Sequence, residues 1–122
     1  FDRFPDLRYG AIESGAGWVA FVAEYMDNIY ESQRHWLKLE LKMKPSEYFD
    51  RNIYASFIRD PVGIKNRDLP GARNIMWSTD YPHSETTWPE SRKVMDWQFA
   101  GLSEDEIRPI VFDTARRFYG LG

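Results

Sequence analysis

Apolar and polar positions fall into short blocks along this chain, and the period of the pattern changes at turn signals. The first block, Leu7-Arg8-Tyr9-Gly10-Ala11-Ile12, follows Pro5-Asp6 and stops at Glu13. A short, mostly apolar run between turn residues predicts a buried parallel strand. Ser14-Gly15-Ala16-Gly17 is a tight connection. Beyond it Trp18, Val22, Tyr25, Met26, Ile29 and Gln33 recur at helical spacing, with Glu24, Asp27, Asn28, Glu31 and Arg34 filling the other face. This predicts an amphipathic helix over 17–35. Trp36 to Pro45 has no clean period and reads as a loop.

The second block opens with Ser46-Glu47-Tyr48-Phe49-Asp50-Arg51, one helical turn with Ser46 as its cap. Ile53-Tyr54-Ala55-Ser56-Phe57-Ile58 follows, β-branched and aromatic, a second strand. Asp60-Pro61 is an N-cap with Pro at the first helical position, predicting a short helix to about Pro70-Gly71. The third strand is Asn74-Ile75-Met76-Trp77-Ser78-Thr79, ending at Asp80. Trp88-Pro89 opens a helix to about Ala100-Gly101. Ser103-x-x-Glu106 is a capping box for a last helix that ends at Tyr119-Gly120 and buries Ile107, Ile110, Val111, Thr114 and Phe118. Pro109 removes a backbone hydrogen bond six residues past the cap and predicts a kink or a late start.

The order β-α-β-α-β-α-α predicts an α/β fold with a parallel sheet and helices outside it. Three strands leave two open edges, and a complete eight-fold barrel needs about 250 residues. The chain has 122. Strands are therefore expected to be missing.

Composition narrows the functional classes. A formal charge of −3 argues against a general nucleic-acid binder, which needs a basic face. With no Cys, disulfide frameworks, Cys-zinc sites and thiol catalysis are excluded. No apolar run approaches the roughly 20 residues of a membrane span. No targeting segment is visible, so the cytoplasm is the default compartment.

In α/β folds ligands gather at the carboxyl ends of parallel strands. Two strands end in a carboxylate, Glu13 and Asp80, and the third is followed by Arg59-Asp60. Asp60, directly before Pro61, reads as a cap. For Glu13 and Asp80 the next helix begins several residues later, and capping and function stay equally open. His83 lies in the dense polar segment from Ser78 to Trp88 and could act as acid, base or ligand. His35, at the end of the predicted first helix, reads as a surface residue. One His and one Asp do not make a zinc site, which normally takes three protein ligands. Ser14-Gly15-Ala16-Gly17 would suit an anion, but neither a dinucleotide fingerprint nor a Walker Lys accompanies it.

The run Asn74-Ile75-Met76-Trp77-Ser78-Thr79-Asp80-Tyr81-Pro82-His83 resembles the last-strand motif of the amidohydrolase-related family, metal-dependent barrel enzymes that include aminocarboxymuconate-semialdehyde and hydroxybenzoate-type decarboxylases. The resemblance continues through Phe4-Pro5-Asp6-Leu7, Glu13-Ser14-Gly15-Ala16-Gly17-Trp18, Tyr48-Phe49, Arg51 to Phe57, and Ala115 to Leu121. It implies the C-terminal three β/α units, strands six to eight, of a (β/α)8 TIM barrel, with residues 1–122 as the C-terminal part of that domain. It implies a divalent metal ion, zinc, with Asp80 as its ligand or as a proton relay to metal-bound water. Glu13 stands at the sixth-strand position, where decarboxylases of the family commonly carry a His, and is expected as a general base. That change tilts the expectation slightly from decarboxylase toward hydrolase. His83 and Arg59 are expected to contact an anionic small-molecule substrate, and Tyr81 and Trp18 to pack. Asp113-Thr114-Ala115 stands where many relatives read Asn before the Ala.

The family's His-x-His and a further His would lie upstream of Phe1. The piece alone is therefore expected to be inactive and to expose apolar strand edges, and the full-length protein to be a homo-oligomer. The alternative is a stand-alone non-enzymatic α/β domain that oligomerises through those edges.

Overall fold

The computed structural model describes residues 1–122. Strands β1 (Tyr9–Ala11), β2 (Ile53–Phe57) and β3 (Ile75–Trp77) form one parallel sheet in the order β1-β2-β3. Ala11 registers with Ala55, and Ala55 with Ile75. Helix α1 (Gly17–Leu37) crosses back from β1, and α2 (Pro45–Asn52) feeds directly into β2. Helix α3 (Pro61–Lys65) joins β2 to β3. After β3 come α4 (Ser91–Gln98), α5 (Glu104–Arg108), a π-helical turn over Pro109–Asp113, and α6 (Thr114–Tyr119). The predicted alternation is present, with both outer sheet edges unpaired. No helix is long and apolar enough to cross a membrane.

Side chains alternate across the sheet, as a period of two requires. Ala55, Phe57 and Ile75 point toward the helices. Phe57 and Ile75 pack with Ala16, Ile64, Phe99 and Ile110, while Ala55 packs with Val19, Ala20, Ala23, Phe49 and Ala72. Gly10, Tyr54, Ser56 and Met76 occupy the other face. There the Phe118 ring lies 4.9 Å from the Tyr54 ring. A Cβ on Gly10 would stand 2.5 Å from the same ring, which is why a glycine interrupts this strand. Arg8 fastens the arrangement by donating to the Arg117 and Phe118 carbonyls at 2.6 and 3.1 Å.

Several predicted boundaries move, each for a local reason. Helix α1 runs two residues past the predicted end at 35 because no Gly or Pro stops it, and it closes on Lys38 in the left-handed region. The α2 cap is Lys44 rather than Ser46. Pro45 takes the first helical position, where its missing N–H is no loss, and the Glu47 carboxylate accepts the Lys44 N–H at 2.7 Å. Ser46 is instead committed to Asp27 of α1 through its N–H (2.8 Å) and its hydroxyl (2.7 Å). Helix α3 stops at Lys65, and tight turns carry the chain through residues 66–72. Helix α4 starts at Ser91 rather than at Pro89, because Thr87 and Trp88 are held in the preceding loop by Thr79 and Thr86. At Pro109 the helix does not simply kink. The missing N–H is absorbed by the π-helical turn, after which α6 resumes.

Asp60 does more than the predicted local cap. It accepts from Gly63 N–H at 2.8 Å, as an N-cap of α3 should, and also from Ala16 and Gly17 N–H at 2.6 and 2.7 Å. Helix α1 has Ala16 at its own N-cap position, which carries no acceptor, so its first amides are satisfied by a residue of the next strand's loop.

Two outcomes follow from this capping. Asp60→Ala leaves amides of two helices unpaired and is expected to destabilise the protein by about 2–4 kcal/mol in urea unfolding. Glu106 is held below the ordinary glutamate value, chiefly by the Ser103 N–H, then by the Ser103 hydroxyl and Arg67. A lowered carboxylate stabilises the fold above its unfolded value and ceases to do so as pH falls through its folded value. Glu106→Gln is therefore expected to lower Tm at pH 7, and the gap to wild type should shrink steadily as the pH is taken down from about 5.

Candidate active site

Because the sheet is parallel, all three strands deliver their carboxyl ends to one edge. Glu13 lies two residues beyond β1 and Asp80 three beyond β3. Both occupy the left-handed region, at φ 58° and 56°. A non-glycine residue there is strained by about 1–3 kcal/mol and persists only where its surroundings hold it. Each is held. The Glu13 N–H donates to the Ser56 hydroxyl at 2.8 Å. Asp80 is clamped by His83, whose backbone N–H reaches the Asp80 carbonyl at 2.8 Å and whose Nδ1 lies 3.1 Å from Asp80 Oδ2. The neighbouring loop is tied down at the Thr79 carbonyl, which accepts from Thr87 N–H (2.9 Å) and the Thr86 hydroxyl (2.8 Å).

The two carboxyl groups meet across the end of β2. A hydrogen bond with Asp80 and the negative charge of Asp80 push the Glu13 carboxyl above the ordinary glutamate value. Partial burial and Glu85 act in the same direction, and His83 opposes them. The Asp80 side chain is only 6% exposed, whereas the His83 side chain is 68% exposed at the rim. Raised in this way, the Glu13 carboxyl is suited to release a proton to a bound molecule, and the pair offers oxygen donors to a cation.

Three of the sequence-predicted residues, Glu13, Asp80 and His83, are thus brought together. Arg59 makes no hydrogen bond or ion pair with either carboxylate. Its guanidinium donates to the Glu85 carbonyl at 3.0 Å and ties the end of β2 to the 80–88 loop. His35 is exposed on the last turn of α1, eighteen residues and about 27 Å of helix away from the site-side end of α1. Of the two expected packing residues, Trp18 is half-buried with its ring N–H on the Gly15 carbonyl, while Tyr81 is exposed and meets Trp88 edge-on. Ser56 was not singled out by sequence. Its signal was a lone small polar residue inside an otherwise apolar strand.

No three His, Asp or Glu side chains of this chain converge into a set able to hold a metal ion. The hard oxygen donors at Asp80 and Glu13 fit a divalent cation, but they are too few to hold one alone. A separate apolar hollow of about 290 Å³ lies between the N-terminal segment, α1 and α2, bounded by Phe1, Met26, Tyr48 and Phe49. Its one carboxylate, Asp2, is already engaged by the Tyr48 hydroxyl.

A model of the amidohydrolase family matches residues 1–121. Comparison with curated proteins gave no match. Among solved structures, 5-carboxyvanillate decarboxylase from Sphingomonas paucimobilis superposes with a TM-score of 0.75 at 25% identity, covering 100% of this chain. The chain spans only 36% of that enzyme's length. An amidohydrolase from Mycobacterium avium subsp. paratuberculosis K-10 gives a TM-score of 0.76 at 22% identity, over 98% of this chain and 29% of the other. The 5-carboxyvanillate decarboxylase of Novosphingobium aromaticivorans, solved with manganese and 4-hydroxy-3-methoxy-5-nitrobenzoic acid, gives 0.71 at 17% identity, over 99% and 35%. These likenesses agree with a partial TIM barrel.

The geometry generates a stability prediction. Asp80→Asn removes one of two facing negative charges and places Asn, which tolerates positive φ better, on a left-handed backbone. It is expected to raise Tm at neutral pH by a few degrees in differential scanning calorimetry, and an unchanged or lower Tm would contradict the repulsion described here.

Proposed function

This chain belongs to the amidohydrolase family, and on that premise we propose that it supplies the last three β/α units, strands six to eight, of a (β/α)8 enzyme acting on a small carboxylated substrate with a divalent ion. The observation that carries the reading is the meeting of Glu13 and Asp80, each on a left-handed backbone at the carboxyl end of its strand. Barrel enzymes place their chemistry at that end.

The residues divide the work by position. Asp80, buried and steadied by His83, offers an oxygen ligand to the ion and can accept a proton beside it. The ion, when bound, polarises a carbonyl or carboxylate and acidifies a bound water. Its remaining ligands come from polypeptide outside this chain. Zinc was the expectation, and manganese is the ion seen in the Novosphingobium relative.

Glu13 carries the proton. Non-oxidative decarboxylation breaks a C–CO₂⁻ bond and forms a C–H bond, so the carbon that loses CO₂ must receive one proton. A carboxyl kept above its ordinary value by a neighbouring carboxylate is suited to deliver it. Arg59, with one guanidinium nitrogen on the Glu85 carbonyl, keeps further N–H groups for a substrate carboxylate, and His83 lines the same rim. Decarboxylation is the first reading because the Sphingomonas relative is a decarboxylase. Hydrolysis is the second, favoured by Glu13 standing where family decarboxylases commonly carry a His.

The test uses the full-length protein, loaded in parallel with manganese and with zinc and given 5-carboxyvanillate. CO₂ release is expected. Glu13→Gln and Asp80→Asn should each lower kcat by at least about 100-fold, and Arg59→Ala should act mainly on KM. Asp80→Ala should also reduce bound metal by elemental analysis. Turnover of an amide or lactone without CO₂ release would select hydrolysis, and full kcat in Asp80→Asn would end the proposal.

A further inference from the structure

We infer that Ser56 is the positioning residue that aims Glu13 at Asp80, an inference that rests on the role given to Glu13 above. Ser56 sits on the central strand between Ala55 and Phe57, both of which point into the helix-side core. Its own side chain therefore projects to the opposite face. It is 3% exposed, and its neighbours on that face, Tyr54 and Met76, are buried and apolar. A lone hydroxyl in such surroundings is disfavoured unless it is used.

Its use is specific. Ser56 Oγ accepts the Glu13 N–H at 2.8 Å, across from β2 to the residue just past β1. That amide belongs to a glutamate at φ 58°, where the backbone needs outside support. Four residues further along the same strand end, Asp60 accepts the Ala16 and Gly17 amides. The β1–α1 connection is thus pinned to the end of β2 at two points, one on each side of its turn. Asp60 fixes where α1 starts, and Ser56 fixes the residue that bears the carboxyl. Removing the hydroxyl leaves a part-buried amide without a partner and frees residue 13 to relax toward ordinary φ, which turns its side chain away from Asp80. A displacement of about 1 Å in a catalytic group lowers turnover by about 100-fold.

The test is a double-mutant cycle in the full-length, metal-loaded protein with 5-carboxyvanillate as substrate. Ser56→Ala is expected to lower kcat about ten- to a hundredfold with KM almost unchanged, and Ser56→Thr, which keeps the hydroxyl, to restore most of it. In the Glu13→Gln background Ser56→Ala should cause no further loss, because it acts through the same group. Hydrogen exchange of the peptide spanning residues 11–18 supplies a readout independent of turnover. It is expected to be faster in Ser56→Ala and near wild type in Ser56→Thr. Should Ser56→Ala not fold, Ser56→Cys keeps the volume, weakens the acceptor and gives the same pattern at smaller amplitude. Losses that add in the double variant, or unchanged exchange, overturn the inference while leaving Glu13 its role. Full kcat in Glu13→Gln overturns the role of Glu13 itself.

Discussion

The carboxylate of Asp60 is bound by amides from two helices, and the site exists in its present form because of that. The chain enters helix α1 through Gly15-Ala16-Gly17, which offers no side-chain acceptor for its first N–H groups. Asp60 takes the task instead, through Ala16 and Gly17, while still capping α3 through Gly63. Glu13 takes no part in that capping. Its N–H goes to Ser56 and its carboxyl turns to Asp80. One structural carboxylate satisfies the backbone so that two others can be left in an arrangement the backbone does not need.

That arrangement runs against stability. Two carboxyl groups face one another, both on strained backbone, one of them almost wholly buried. Native structures tolerate such positions where function requires them and compensate elsewhere. The compensation is visible in the hydrogen bonds converging on the Thr79 carbonyl, in His83 bonding to both ends of Asp80, and in Arg59 holding Glu85. The 80–88 loop is built to keep Asp80 still.

Much of this could be read from the chain as it stands. Short apolar runs ending in carboxylates announced parallel strands and the edge where Glu13 and Asp80 meet, and Ser103-x-x-Glu106 marked α5 correctly. What stayed hidden was non-local. Local rules assign Asp60 to the helix it precedes, so its second helix, 43 residues upstream at Gly17, could not be inferred. Ser46 looked like a cap because caps are serines, yet Asp27 on α1 claimed it. Pro109 was legible as a break, but whether a helix answers by kinking or by widening into a π-turn depends on what packs around it, and here Ile110 is anchored in the core. Glu13 and Asp80 were each visible as strand-end acids. Their pairing was a matter of register between strands, which a one-dimensional pattern does not encode.

The seat of Phe118 against Gly10 has a consequence for how the chain is made. Gly10 brings no side chain to its face of the sheet, and the ring that fills the place belongs to residue 118 of 122. Arg8 likewise waits for the carbonyls of Arg117 and Phe118. Synthesis runs from the N-terminus, so β1 leaves the ribosome more than a hundred residues before Arg117 and Phe118, and obtains these partners after β2 and β3. It can pair with β2 and receive α1 early, but the face that carries Gly10 stays open until α6 has been made. A ribosome that stalls within α6 would therefore hold a chain in which β1 is still unsealed.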